Sequence, residues 1–185
     1  GESGIIIVDK TPFYAEMGGQ VGDTGKILAD EVEIKVENTT KDGNGLYHHA
    51  VTVEKGEVSV GTKVTMRVCK KRRMAISRNH SATHLLHKAL KETLGSHVAQ
   101  AGSLVTPERL RFDFSHFEAM TKEQLKEVEA RVNEAILDGL DINIQELNID
   151  EAKKLGATAQ FGEKYGDVVR VVSMGDYSIE LCGGC

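Results

Sequence analysis

Three side chains in two distant stretches of the sequence could bind one metal ion. His80 and His84 stand four residues apart in a segment rich in leucine and alanine, and Cys182 follows an apolar run near the other end of the chain. Residues four apart are neighbours on a helix face, so a helix would bring the two imidazoles together. Imidazole and thiolate are ligands that zinc takes in proteins. These residues therefore predict a zinc site, although a histidine pair alone is more often solvated or at the edge of a core.

The chemistry around these ligands differs from that of a zinc protease. The motif H-E-x-x-H has the same histidine spacing but needs a glutamate as general base, and Ser81 occupies that place. Cysteine usage agrees with a metal site, because the three cysteines, Cys69, Cys182 and Cys185, are an odd number that suits metal binding or free thiols better than disulfides.

The composition sets limits on the class of protein. The chain has 185 residues, 40% of them hydrophobic, which is enough for a sizeable core. It has no apolar run of about 18 residues and no signal-peptide pattern, so we expect a cytoplasmic protein with no membrane span. A formal net charge of -5 argues against wrapping nucleic acid by global charge. A local basic cluster still stands out, and it is either a solvated run or a phosphate-binding patch: Lys70, Lys71, Arg72 and Arg73, with Arg78 nearby.

Residues 1–70 have the pattern of a small β domain. Short apolar or alternating runs recur at roughly ten-residue spacing, which is typical of a barrel or sandwich. A glycine-rich loop at residues 18–25 and a hairpin signal at residues 42–45 separate them. The strands are predicted at residues 4–8, 31–36, 47–53 and 62–68.

The hydrophobic period changes to that of helices at about residue 71. An amphipathic helix is predicted over residues 74–94, and a second one follows the capping box Thr121 to Gln124. Thr106 and Pro107 predict a further short turn of helix. Strands are expected at residues 111–114 and 142–147, a short helix at 150–155, and a hairpin over 168–182. Helices on an antiparallel sheet predict an α+β fold, with residues 71–185 as the second domain.

Seven segments share their pattern, in the same order along the whole chain, with a known family: residues 9–16, 18–25, 79–87, 97–103, 111–116, 161–167 and 180–184. Together they resemble the editing region of bacterial alanyl-tRNA synthetases. The resemblance implies a small β-barrel followed by an editing core that threonyl-tRNA synthetases and free-standing alanyl editing proteins share. It also implies hydrolysis of seryl- and glycyl-tRNA(Ala), because an alanine pocket rejects serine and glycine too weakly without a second sieve.

The same resemblance implies the roles of individual residues. His80, His84 and Cys182 match the zinc motif, with one zinc per intact domain, and its fourth ligand would directly follow Cys185. Either the missing ligand leaves the site weak, or Cys185 substitutes for it. Thr83 and Gln100 match positions used for substrate hydroxyl recognition and water placement, although the Thr83 hydroxyl could simply bond to its own helix.

The implied partners are the acceptor end of alanine tRNA, contacted by the basic cluster, and the rest of the synthetase in cis. ATP binding would belong to the full-length enzyme. Two other functions stay open: a non-catalytic module that binds the tRNA acceptor end, and a structural zinc module. A fragment inactive for want of the fourth ligand is a further alternative. The resemblance does not settle whether zinc activates water or only positions the substrate.

Overall fold

A computed structural model of the chain describes residues 1–158 and 166–184. The described residues fall into two compact units. The first comprises Gly1–Ser77 and Val105–Arg109, and the second comprises Arg78–Leu104 and, within Leu110–Gly184, the described residues.

The first unit is built on one antiparallel sheet of five strands in the order β1-β4-β3-β2-β5. Its core contains Phe13 with residues that alternate along the strands, such as Ile34 and Val36 on one strand and Val51 on the next. A period of two puts these side chains on one face, as the sequence predicts. The strands are Ser3–Ile6 (β1), Gly25–Ala29 (β2), Val32–Lys41 (β3), Tyr47–Lys55 (β4) and Thr65–Val68 (β5).

Two features of this sheet differ from the sequence analysis. Among the described strands, β1 and β5 are the sheet's two edges and are not paired with each other, so the predicted barrel is not closed. Strand β2 was not predicted, although it lies between β3 and β5 and contributes the fully buried Ile27. Its five residues begin with glycine and follow a glycine-rich loop, so propensity alone predicts a loop there.

The glycine-rich loop of the first unit is held by a buried carboxylate. Asp23 is 2% exposed, accepts a hydrogen bond from the Tyr14 backbone at 2.7 Å and forms an ion pair with Arg73. Arg72 donates to the carbonyl of Gly22 at 2.6 Å. Glycine is required at residue 22 for the close approach of its neighbour, because a Cβ there would overlap the Thr39 carbonyl.

The remaining elements contain the helices and a second antiparallel sheet in the order β10-β9-β8, with β6 and β7 as a separate pair. These features confirm the α+β class. Of the described helices, none is long and apolar enough to cross a membrane. The elements are Lys70–Leu94 (α1), Gln100–Val105 (β6), Leu110–Phe114 (β7), Lys122–Leu137 (α2), Ile142–Asn148 (β8), Ile149–Lys154 (α3), Val168–Met174 (β9) and Ser178–Leu181 (β10).

The core of the second unit joins α1 and α2 to the sheet. Leu85 of α1 and Ala135 of α2 pack with Val172 and Met174 of β9 and with the side chain of Cys182. A second cluster lies further along α1 and contains Ala89, Leu90, Val98 and Val128. The apolar face of α1 is therefore buried against α2 and the sheet, which sets the orientation of the helix.

Local signals predict α2 well and the chain before it less well. Thr121 and Gln124 form the predicted reciprocal capping box, and Gly139 follows the helix with a φ of 62°. The short helix predicted at Thr106 is wrong. The Thr106 backbone donates to Arg109 at 2.9 Å and its hydroxyl accepts from the Arg109 backbone at 3.1 Å, so the connection from β6 to β7 is a tight turn.

Candidate metal centre

The three predicted ligands lie together in the second unit. His80 and His84 are one turn apart on α1 with their rings stacked, centroids 5.0 Å apart, and Cys182 directly follows β10. The Cys182 Sγ is 3.2 Å from His80 Nε2. One ligand atom from each of the three residues lies within 4.8 Å of the others. The tertiary structure thus brings together His80 and Cys182, which are 102 residues apart in the sequence.

The backbone at Cys182 is fixed by its neighbour strand. The Cys182 amide donates to the carbonyl of Arg170 at 3.0 Å, and the Arg170 guanidinium donates to the carbonyl of Cys182 at 2.7 Å. Cys182 is 7% exposed and His84 is 5% exposed, whereas His80 is half-buried. The cluster is therefore anchored to β9 by hydrogen bonds at Cys182 and is partly exposed to solvent at His80.

A fourth residue completes the surroundings of the cluster. The carboxylate of Glu180 accepts hydrogen bonds from Nδ1 of His84 at 2.6 Å and from Nδ1 of His87 at 3.0 Å. Glu180 is not among the residues that the sequence predicts for the site. The period of two along β10 was the available signal, because it puts Glu180 on the same strand face as Cys182.

Burial and hydrogen bonding shift the pKa values of this group. Burial alone would raise the pKa of Glu180, but hydrogen bonds from His84 and His87 lower it to about 2. Burial would likewise lower the pKa of His84, but hydrogen bonds with Cys182 and Glu180 raise it to about 10.

The pKa of the Cys182 thiol is shifted in the direction that favours metal binding. Burial would raise its pKa, yet hydrogen bonds with His80 and His84 lower it to about 5. The thiolate is the form of cysteine that ligates metals. Two imidazoles and a thiolate, one imidazole held by a carboxylate, therefore fit the ligand chemistry of zinc. Cys185, the predicted substitute ligand, lies outside the described residues, as do residues 161–165 of the resembling segments.

Comparisons with known proteins place this chain in a family. Residues 1–72 match the family described as tRNA synthetases class II (A). The chain is 61% identical over 184 residues to the alanine–tRNA ligase of Acetivibrio thermocellus, 58% over 184 residues to that of Clostridioides difficile and 55% over 185 residues to that of Bacillus cereus. The chain is a region of the alanyl-tRNA synthetase family. Each match covers 100% of the chain but only 21% of the ligase, so the chain spans a minor part of these relatives.

In this synthetase region, Thr83 lies on the same helix as the two histidines predicted to be ligands. It is 6% exposed, and its hydroxyl donates to the Asn79 carbonyl one turn earlier at 2.8 Å. This is the local bond that the sequence analysis gave as the alternative to substrate recognition. Because the hydroxyl hydrogen is used, Thr83 can meet a ligand only as a hydrogen-bond acceptor.

Gln100 is the first residue of β6 and is half-buried. Within the described parts of the chain, no hydrogen bond joins its side chain to His80, His84 or Cys182. Its predicted role in placing water stays a prediction.

The basic residues of the synthetase region divide into two groups. Arg72 and Arg73 are partly buried and bind the glycine-rich loop of the first unit. Lys70, Lys71 and Arg78 are exposed on α1. Contact with tRNA stays a prediction for all five, and the exposed three have the surface that such contact needs.

Proposed function

We propose that this chain is the editing region of an alanyl-tRNA synthetase and hydrolyses the ester of seryl- and glycyl-tRNA(Ala) while sparing alanyl-tRNA. The observation that carries the proposal is the cluster of His80, His84 and Cys182, with ligand atoms within 4.8 Å of one another. It occurs in a chain that matches alanine–tRNA ligases over its whole length.

The need for such a reaction follows from the chemistry of the amino acids. A pocket made for alanine cannot strongly reject glycine, which is smaller, or serine, which adds only a hydroxyl. A second site must therefore remove these errors after transfer to tRNA. Alanyl-tRNA is the useful reference substrate, because it presents the same ester bond without the side-chain hydroxyl of serine.

The residues of the cluster and Glu180 would have different roles. His80, His84 and Cys182 would hold zinc, which when bound supplies a Lewis acid for water or an anchor for the substrate. Glu180 keeps a proton on Nδ1 of His84, so that Nε2 is the nitrogen available for binding.

Thr83 would recognise the serine side chain. Its hydroxyl already donates to Asn79, so its oxygen accepts the hydrogen bond that a seryl hydroxyl offers. The methyl group of alanine offers no such bond and leaves the buried oxygen unpaired. Gln100 would orient the attacking water through its side-chain amide.

Contact with the tRNA acceptor end would come from Lys70, Lys71 and Arg78. Lysine and arginine bind phosphates by charge, and such binding weakens with salt. The rest of the synthetase, acting in cis, would supply most of the tRNA affinity and also the ATP site. The whole enzyme would act in the cytoplasm.

The test is single-turnover deacylation of seryl-, glycyl- and alanyl-tRNA(Ala), with zinc content measured on the same sample. We expect loss of serine and glycine, retention of alanine, and zinc near one per chain. His84→Ala should abolish both zinc and deacylation. His48→Ala, which alters a partly exposed histidine of β4 in the first unit, is the matched control and should change neither. Deacylation that persists in zinc-free His84→Ala would refute the role of the cluster.

A structural zinc module is the second candidate, and the burial of Cys182 favours it. The Cys182 side chain belongs to the core cluster with Leu85 of α1, so a metal there would join helix to sheet. In that case zinc removal would lower the melting temperature, and no deacylation would occur with or without zinc. A module that only presents the acceptor end would bind tRNA(Ala) without hydrolysing any of the three esters.

A further inference from the structure

One buried carboxylate is shared between two histidines of α1. Glu180 Oε2 is 2.6 Å from His84 Nδ1, and Glu180 Oε1 is 3.0 Å from His87 Nδ1. All three residues are 5% to 6% exposed. Both oxygens of the carboxylate are thus occupied by different residues, away from water.

This geometry determines which nitrogen of each ring carries hydrogen. An ionised carboxylate can only accept hydrogen bonds, so Nδ1 of His84 and Nδ1 of His87 must both be protonated. One ligand atom of His84 lies within 4.8 Å of the sulfur of Cys182. Because Nδ1 of His84 is engaged by Glu180, Nε2 is the nitrogen left to bind a metal.

The Glu180 backbone is held on both sides. Glu180 pairs with Val172 of β9 on one side and forms an isolated β-bridge with Thr158 on the other. The Thr158 amide donates to the Ile179 carbonyl and the Leu181 amide donates to the Thr158 carbonyl across this bridge, each at 2.9 Å. A carboxylate on such a strand has little freedom to follow a moving histidine.

We propose that Glu180 is a positioning residue, which fixes the tautomer and ring orientation of His84 for metal binding, and that His87 holds the carboxylate from its other oxygen. This deepens the proposed metal centre and rests on it. Glu180 touches neither substrate nor metal in this role. Carboxylates that hold a metal-binding histidine raise metal affinity by about 10- to 100-fold.

The surroundings of His87 suit a residue that holds the Glu180 carboxylate, not one that binds the metal. The metal-binding group of the described residues contains His80, His84 and Cys182 but not His87. The His87 ring lies against Phe112 with centroids 5.2 Å apart. Its Nε2 is buried, and no described residue hydrogen-bonds to it. Its Nδ1 bond to Glu180 is therefore the bond that its role depends on.

The first experiment measures the zinc dissociation constant by competition with a chromophoric chelator at pH 7. Glu180→Gln keeps the size of the side chain, but its amide accepts from one histidine and presents hydrogens to the other. We expect about a 10- to 100-fold weaker zinc affinity. Glu146→Gln removes an exposed carboxylate from β8 of the same sheet and should leave the constant unchanged. His87→Gln should weaken binding less than Glu180→Gln.

The second experiment reads the tautomers directly, by ¹H–¹⁵N NMR of the imidazoles in the unaltered chain. We expect His84 and His87 both to be protonated at Nδ1, and zinc to shift the Nε2 resonance of His84. In Glu180→Gln the His84 pattern should change. The measurement on the unaltered chain needs no folded variant, so it decides the matter even if Glu180→Gln fails to fold.

The outcomes distinguish the proposed metal centre from the positioning role of Glu180. If the unaltered chain binds no zinc, both the metal centre and the positioning role are overturned. If it binds zinc and Glu180→Gln binds it equally well, only the positioning role is overturned. Loss of the proton from Nδ1 of His84 in the unaltered chain would overturn that role as well.

Discussion

The backbone of Gly184 lies directly against the imidazole of His80. A Cβ at residue 184 would overlap Cε1 and Nδ1 of that ring and be in tight contact with Nε2, and the Gly184 amide donates to Cys182 Sγ at 3.4 Å. Gly184, the second of the two glycines that follow Cys182, therefore positions one predicted ligand and hydrogen-bonds another. Glycine is required here for close approach, since the structure gives it no positive φ.

Gly184→Ala should displace the His80 ring and weaken zinc binding. The methyl group can be accommodated only if the imidazole or the backbone at residue 184 moves, and either change separates His80 from Cys182. We expect a lower zinc affinity with little change in the far-ultraviolet circular dichroism. Gly43→Ala is the matched control, because a Cβ at that glycine meets nothing within 4 Å. Equal zinc affinity in both variants would show that His80 is not a ligand.

Thr83→Val should impair the hydrolysis of seryl-tRNA while leaving glycyl-tRNA hydrolysis largely intact. Valine has nearly the same shape but lacks the oxygen that we propose accepts the seryl hydroxyl. Loss of the bond to Asn79 should cost about 1 kcal/mol of stability. The measurement is the single-turnover rate on each ester.

Thr93→Val is the control for that experiment. Thr93 is also on α1, and no described residue hydrogen-bonds to its buried hydroxyl, so this substitution should be neutral or slightly stabilising. A fall in glycyl-tRNA hydrolysis equal to that for seryl-tRNA would indicate that Thr83 supports the helix and does not recognise serine.

The stability of the zinc-free chain should depend on pH through Glu180 and His84. The pKa of Glu180 is lowered from 4.5 to about 2, so its contribution is complete above pH 4.5 and is lost as the pH falls through 2. The pKa of His84 is raised from 6.5 to about 10, so its contribution is complete below pH 6.5 and is lost as the pH rises through 10. Both contributions are complete only between pH 4.5 and 6.5.

Urea unfolding of the zinc-free chain at several pH values measures this effect. The unfolding free energy of the unaltered chain minus that of Glu180→Gln should be largest between pH 4.5 and 6.5 and should shrink on either side. Glu146→Gln should give a difference that is small throughout, because that carboxylate is exposed. A flat difference for Glu180→Gln would mean that its ion pair with His84 does not form in solution.

How far the sequence predicts this structure depends on whether a signal is local. The capping box of α2 and the spacing of His80 and His84 are local, and both predict the correct element. The period of two along β10 puts Glu180 on the same strand face as Cys182, but its partners His84 and His87 cannot be read from that pattern, because they meet it only once β10 lies beside α1. The basic cluster shows the same limit. Arg72 and Arg73 bind Gly22 and Asp23, which are 50 residues away in the sequence, and charge alone cannot distinguish such internal bonds from a solvated surface.

The two groups of basic residues should therefore respond differently to substitution. Lys70→Ala, Lys71→Ala and Arg78→Ala should weaken tRNA binding and reduce its salt dependence, by about 0.7 to 0.9 in the log–log slope for each phosphate that is no longer neutralised. Arg73→Ala should instead lower stability, because it leaves the buried Asp23 carboxylate without its ion-pair partner. The decrease should be on the order of 2 kcal/mol, less than for a fully buried pair because Arg73 is partly exposed.

Cys182 should be protected from alkylation by zinc, and Cys69 provides an internal reference. Both are free cysteines, but Cys69 is exposed and Cys182 is buried. In the zinc-free chain, the low pKa of Cys182, about 5, keeps it as the reactive thiolate at neutral pH, although burial slows its reaction. Zinc would occupy the sulfur's lone pair and stop the reaction. We expect iodoacetamide labelling, followed by mass spectrometry of each peptide, to show Cys69 modified at the same rate with and without zinc and Cys182 modified only without it. Equal modification of Cys182 in both samples would mean that its sulfur does not bind zinc, and the ligand set would then have to exclude it.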